Sequence, residues 1–262
     1  MQMEMSRTLL GRPLYLVSAY LVDGVVIDTG LNALRRDFIA CLREAGAAVA
    51  LNTHAHEDHC GNNSAVARCL GIRPRAHARA VPQLARPIAM QVYRRLVWGW
   101  PPPGTAVDSL GQWVEHEALR LRVIETPGHC PDHVVFLDEQ RGLLFLGDLF
   151  VHERVRYMRV DEDVKAIMHS LEHVLSFDFE QAFCAHRGLL RDGRRAVGRK
   201  LDNLRELAGR AADLHDGGLP LTEVSRQLLG PEGLFRYFSL GHFSKRNFTR
   251  GLLEATGRAP TP

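Results

Sequence analysis

The chain has 262 residues, 45% hydrophobic and 24% charged, with 23 glycines and 13 prolines. This is ordinary globular composition, long enough for one large domain or a domain plus an appendage. A net charge of +3 is too small to announce a nucleic-acid or membrane partner, and no run approaches the ~20 apolar residues that cross a bilayer. Charge is unevenly spread: 14 Lys/Arg face 8 Asp/Glu from Arg187 on, against 19 and 22 before it. An acidic body with a basic tail end favours a small, anionic substrate, although a solvated helical face gives the same count. Five cysteines without CxxC spacing exclude a disulfide framework and predict a reducing, cytoplasmic setting. Met1–Arg12 is polar and Leu14–Val22 too short for a secretory leader, so none is expected.

In chain order, Tyr15–Val22 and Val25–Ile27 read as a hairpin turning at Asp23-Gly24, followed by the turn Asp28-Thr29-Gly30. Leu34, Phe38, Ile39 and Leu42 recur at helical spacing, with Gly46 fitting a C-cap. Val49–Leu51 is a short strand running into a histidine cluster. Ala65–Leu70 is predicted helical and Arg75–Ala78 extended. Leu84–Leu96 reads as a helix, and the run from Trp98 through three prolines to Gly104 as irregular. Strands are predicted at Leu119–Ile124, Val134–Leu137 and Leu143–Leu146, a helix at Val164–Leu175 and a last strand at Ala182–Cys184. Beyond it the character turns helical. Val197, Leu201, Leu204, Leu207, Ala211 and Leu214 mark one long amphipathic helix, Thr222 caps a short one through Leu228, and Ser244 caps a last one through Leu253. The pattern predicts an α/β body over residues 1–191 and a helical module over 192–262.

Chemistry concentrates in Thr53-His54-Ala55-His56-Glu57-Asp58-His59-Cys60-Gly61. Three histidines and two acids fall within six residues, directly after a strand. His54 and His56 can point the same way as a pair, while Asp58 and His59, on the turn that follows, face a second point. Imidazoles and carboxylates suit zinc, and hard carboxylate oxygen suits bridging two ions. A solvated polar loop has no reason to use three histidines at this spacing. One cluster cannot close two coordination shells, and three more candidates stand at strand ends: His129 in Thr126-Pro-Gly-His, Asp148 in Leu146-Gly-Asp, and His186 after Cys184. Singly they could be a turn histidine, a helix cap and a surface residue; together their placement is hard to attribute to chance.

The order strand-Asp28, His-x-His-x-Asp-His, then His129, Asp148 and His186 resembles the five motifs of the metallo-β-lactamase superfamily, over roughly residues 14 to 188. The resemblance implies an αββα sandwich with the site at one edge. It puts His54, His56 and His129 on a first metal, Asp58, His59 and His186 on a second, with Asp148 bridging and Asp28 supporting from behind. Two zinc ions (iron or manganese being alternatives) roughly 3.5–4 Å apart would share a water whose pKa falls toward ~7, and the hydroxide would attack an ester-like bond, thioester or lactone. Asp58 would also accept a hydrogen bond from that hydroxide. Within the family the chain is similar to glyoxalase II and its relatives, with Asn62 where those usually carry a second glycine. His56 stands where flavo-diiron proteins have Glu, and no tyrosine follows Asp148 closely as it does in quorum-quenching lactonases. Two other readings of the same ligands are phosphodiester or RNA cleavage, with nucleic acid possible but not favoured, and a one-iron persulfide dioxygenase.

Cys60 and Cys130 flank ligands and read most simply as small apolar residues; His133 reads as a structural partner in its turn. Tyr93, Trp98 and Trp100 are either a helix face in the core or the wall of an apolar substrate pocket. Lys245 and Arg246 are candidate contacts to an anionic substrate, with His242, or to RNA phosphates, with Arg250. Cations at a helix start oppose its dipole unless something anionic sits nearby.

Overall fold

The computed structural model describes residues 1–259. Contacts divide it into two compact units. The first takes Met1–Glu125, Pro131–Val151 and Asp178–Gly193; the second takes Thr126–Cys130, His152–Phe177 and the chain from Arg194 on.

The first unit holds two six-stranded sheets. One runs Gln2–Met5, Val17–Val22, Val25–Ile27, Val49–Leu51, Arg75–Ala76, Asp108–Ser109 in spatial order; the other runs Gly188–Leu190, Gln181–Cys184, Leu143–Gly147, Val134–Asp138, Leu119–Glu125, Trp113–His116. Alternation along the strands decides which core each side chain joins. Tyr20, Val25, Ile27 and Leu51 meet Val114, Leu119, Leu121, Val134, Phe136 and Phe145 of the other sheet. Their neighbours Ala19, Leu21, Val26 and Ala50 point the opposite way, onto Phe38, Ile39, Leu42, Ala65 and Val66. These last belong to helices α1 (Arg35–Glu44) and α2 (Asn63–Leu70). The hairpin turns at Asp23-Gly24 as expected, and Gly46 adopts φ +67° just past α1. Gln2–Met5 is not legible as a strand in the sequence; it pairs antiparallel with Val17–Val22.

Three sequence expectations need correction. The single helix over Leu84–Leu96 is two short ones, α3 (Val81–Leu84) and α4 (Val92–Trp98). Pro87 lies between them, where its missing N–H and ring block a continuous helix. The strand predicted to Ala78 ends at Ala76.

In the second unit are α5 (Val164–Leu175), capped by Asp163, and α6 (Gly193–Asp216), whose Val197, Leu201, Leu204, Leu207 and Ala211 are buried as their spacing predicts. Then come α7 (Leu221–Leu229), α8 (Leu234–Phe238) and α9 (Lys245–Ala255). The third correction is at α7, where Pro220, not Thr222, is the N-cap, and no side chain caps it. The Ser244 cap holds: its Oγ accepts the Asn247 N–H at 2.9 Å. α9 packs on α5 and α7, so closely that a Cβ at Gly251 would lie 2.4 Å from Val164.

Candidate metal centre

Strand pairing brings the motif residues to common sheet edges. Val25–Ile27 and Val49–Leu51 are parallel with Ile27 opposite Leu51, so Asp28 and the histidine loop leave side by side. In the other sheet Leu143–Gly147 and Gln181–Cys184 are parallel, with Gly147 opposite Cys184, so Asp148 and His186 do the same. Two backbone bonds tie the edges together: Val134 N–H to Thr53 O at 2.8 Å and Ser18 N–H to Ala185 O at 2.7 Å. Gly147 is required at its position: its φ is +49°, and a Cβ would stand 2.8 Å from both His133 and Thr53. The Asp148 N–H donates to His133 Nε2 at 3.0 Å, which makes His133 the structural partner it read as.

His59, His186 and His54 each have one ring nitrogen committed. Asp28 is buried in a left-handed backbone, φ +62°. Its carboxylate accepts from Thr53 N–H (2.8 Å), Thr53 Oγ1 (2.9 Å) and His59 Nδ1 (2.7 Å). His186 Nδ1 donates to Leu16 O at 2.6 Å, and His54 Nδ1 lies 3.0 Å from Thr53 Oγ1. Nε2 is thereby the nitrogen each of these rings turns to the carboxylates of the site. His54 Nε2 lies 2.7 Å from His56 Nδ1.

Asp148 stands between two groups of ligand atoms. Its Oδ1 is 3.3 Å from His59 Nε2 and 3.1 Å from His186 Nε2, whereas Oδ2 faces His54 Nε2 at 4.0 Å. Asp58 Oδ2 joins the first pair, 3.5 Å from His59 and 3.7 Å from His186. Asp58, His59 and His186 offer atoms within 4.8 Å of one another, and so do His54, His56 and Asp148. His129 belongs to the second unit. There its Nδ1 donates to half-buried Glu162 at 2.7 Å, its carbonyl accepts from Arg159 Nη2 at 2.6 Å, and Arg159 Nη1 lies 3.4 Å from its Nε2.

Burial alone would lower the basicity of His59 and His186, but Asp148 and its neighbouring carboxylates outweigh it and raise both pKa values. Glu162 is likewise opposed by burial, yet the His129 hydrogen bond and the Arg159 charge hold it below the usual carboxylate range. His59 Nε2 is buried with no hydrogen-bond partner among the described residues. A buried, unpartnered imidazole nitrogen facing the carboxylates of Asp58 and Asp148 is the donor set a divalent cation satisfies in place of a proton, so the residues fit a metal.

The loop is clamped from outside. Arg94 of α4 donates twice to buried Glu57, Nε to Oε1 at 2.6 Å and Nη2 to Oε2 at 2.8 Å. Asn62, the departure from glyoxalase II, donates to Thr29 O at 2.6 Å and Leu31 O at 3.0 Å, joining the Asp28 turn to the histidine loop.

Of the aromatic residues expected to wall a pocket, Trp98 reaches the site: it stacks on His186 at 6.1 Å. Tyr93 is buried and Trp100 is 78% exposed. Tyr15, which the sequence did not single out, lies 4.8 Å from His186 and edge-on to Trp98 at 5.6 Å. Burial, then the charge of Asp148 and other acidic groups of the site, pushes its hydroxyl up to about 12. Lys245 is corrected as a substrate contact: it is buried, and Nζ donates to Leu229 O (2.6 Å) at the end of α7 and to Pro231 O (2.8 Å) just after it. The anion that its helix start calls for is Glu232, which accepts the N–H groups of Lys245 (3.2 Å) and Arg246 (3.0 Å). His242 Nε2 lies 3.7 Å from Asp161. Thr53, Leu16 O and Glu162, which orient the histidines, were missed by the sequence reading; only Thr53 lies inside the motif.

Among relatives, the chain is 28% identical over 155 residues to a hydroxyacylglutathione hydrolase of Francisella tularensis subsp. novicida (59% of this chain, 54% of that one). It is 26% identical over 175 residues to an atrochrysone carboxyl ACP thioesterase of Aspergillus fumigatus (64% and 36%). These matches span about half or less of the relatives' own lengths. A metallo-beta-lactamase family protein of Thermus thermophilus shares the fold at TM-score 0.67 and 22% identity, covering 98% of this chain and 94% of its own. A second solved structure, in a di-iron-bound form, matches at TM-score 0.57 and 27% identity over 73% of this chain and 96% of its own. The family model described as Metallo-beta-lactamase superfamily matches residues 12–186, and the chain belongs to that superfamily.

Proposed function

We propose that the protein is a two-metal hydrolase of small thioester substrates. The observation that carries the reading is the position of Asp148, whose two oxygens face different groups of ligand atoms, an arrangement that suits a bridging carboxylate. His54, His56 and His129 would hold the first metal, and Asp58, His59 and His186 the second. His129 sits on a five-residue turn that the first unit flanks on both sides in sequence. Zinc is the metal we favour, with iron the alternative that the di-iron neighbour keeps open; when bound, such ions would lower the pKa of a bound water toward ~7 and polarise a carbonyl oxygen.

The chain's own residues do the rest. Asp28, Thr53 and Leu16 O fix which imidazole nitrogen faces the centre. Asp58, placed as a ligand, has a second oxygen with which to hold a proton. Tyr15, with its hydroxyl protonated throughout the neutral range, is a donor for a developing oxyanion. Trp98 and Tyr15 offer the acyl group an aromatic wall. Thioesters are preferred over lactones because both named relatives, a hydroxyacylglutathione hydrolase and an ACP thioesterase, are described by thioester substrates. Two groups of ligand atoms in the first unit, Asp58, His59 and His186 beside His54, His56 and Asp148, favour hydrolysis over a one-iron dioxygenase. Five free cysteines support a cytoplasmic setting, and among the described residues no helix is long and apolar enough to cross a membrane.

The test is a panel of acyl-glutathione and acyl-pantetheine thioesters, acyl homoserine lactones and single-stranded RNA, assayed on metal-loaded protein. Thioester turnover should exceed the others at least tenfold; turnover of lactone or RNA alone would reassign the substrate.

A further inference from the structure

We propose that the second unit carries a binding site for a small organic phosphate, made by the 152–157 segment with α6 and α7. A cavity of about 380 Å³ opens there, lined by Arg154, Arg156, Arg210 and Glu206 with Leu207 and Leu228. That volume lies in the range of small-ligand sites.

Three features define what fits. Charge comes first: three guanidiniums and one carboxylate leave the lining at +2, matching the −1.5 to −2 of a phosphate monoester at about neutral pH. The second is availability. Arg210 pairs with Glu206 at 3.6 Å, one helical turn away. Arg154 and Arg156 form no ion pair among the described residues. The nearest acid in sequence, Glu153, is taken by Arg199, which donates to both of its oxygens. Two uncommitted planar forks on one cavity suit the paired acceptors of a phosphate better than a single carboxylate. The third is the apolar surface of Leu207 and Leu228, which an inorganic ion would leave wet and the body of an organic phosphate would cover. None of these residues belongs to the proposed metal centre, so the inference stands or falls independently of it.

The probe is adenosine monophosphate, titrated calorimetrically into the full-length, metal-loaded protein, with adenosine and inorganic phosphate as comparators. The nucleotide should bind at least tenfold more tightly than either comparator, with an affinity that falls as salt rises. Arg154→Gln with Arg156→Gln should weaken it at least tenfold while leaving Tm and turnover at the metal centre unchanged, since both side chains are on the surface. Chelating the metal should leave nucleotide binding intact. Binding no tighter than that of adenosine or of phosphate, or indifferent to the double substitution, would overturn the proposal. Loss of binding on chelation would overturn it too, by placing the nucleotide at the metals.

Discussion

A histidine can present one nitrogen to a cation reliably only when the other is held, and here the holding groups come from unrelated places. Asp28 serves His59, Thr53 serves His54, a backbone carbonyl serves His186 and Glu162 serves His129. Asp28→Asn should keep the fold yet lower metal affinity or turnover roughly 10–100-fold, as loss of such partners does elsewhere; metal titration against a competing chelator measures it, and an unchanged affinity would deny Asp28 that role. His186→Ala should mainly empty the second group, since His54, His56, His129 and Asp148 remain; equal loss of both ions would contradict the division. The proposed ligands were legible because polar residues clustered after strands have few other uses. Leu16 O and Glu162 were not, because a carbonyl has no sequence signature and Glu162 is 33 residues from the histidine it holds.

At the scale of elements, the sequence was most readable where alternation or helical spacing ran unbroken, as in Val25–Ile27 or α6. It misled where one residue overruled the pattern: apolar spacing continued through Leu84–Leu96, but Pro87 split it. The strand Gln2–Met5 was obscure because its burial is decided by pairing with Val17–Val22 rather than by its own composition. The start of α9 shows the same dependence. Its cations looked like substrate contacts until Glu232 and the carbonyls at the end of α7 were in place. Lys245→Ala should therefore cost about 1–3 kcal/mol through its stranded carbonyl partners, lowering Tm by several degrees. KM for an anionic thioester should not move, and a raised KM with unchanged Tm would return Lys245 to substrate binding. Gly61→Ala should be more damaging, because a Cβ there would lie 2.2 Å from Gly30 O and 2.7 Å from Glu57 O. Overpacking of this kind costs about 1–3 kcal/mol or more; a Tm within a degree of the parent would show that the loop yields.

For the whole molecule, the family match stops at residue 186, and the helices from α6 on lie outside it. The two-metal reading rests on residues within the matched stretch, and on Asp148 most of all. Metal content decides it most directly: the parent protein and Asp148→Ala, each purified metal-free, reloaded with excess zinc and desalted, then measured for zinc per chain by elemental analysis with thioester turnover alongside. The parent chain should hold two zinc ions, with substitution lowering occupancy of both positions and cutting turnover at least a thousandfold while the far-ultraviolet circular dichroism is retained. One ion per parent chain, or a variant that keeps two ions and near-normal turnover, would contradict it.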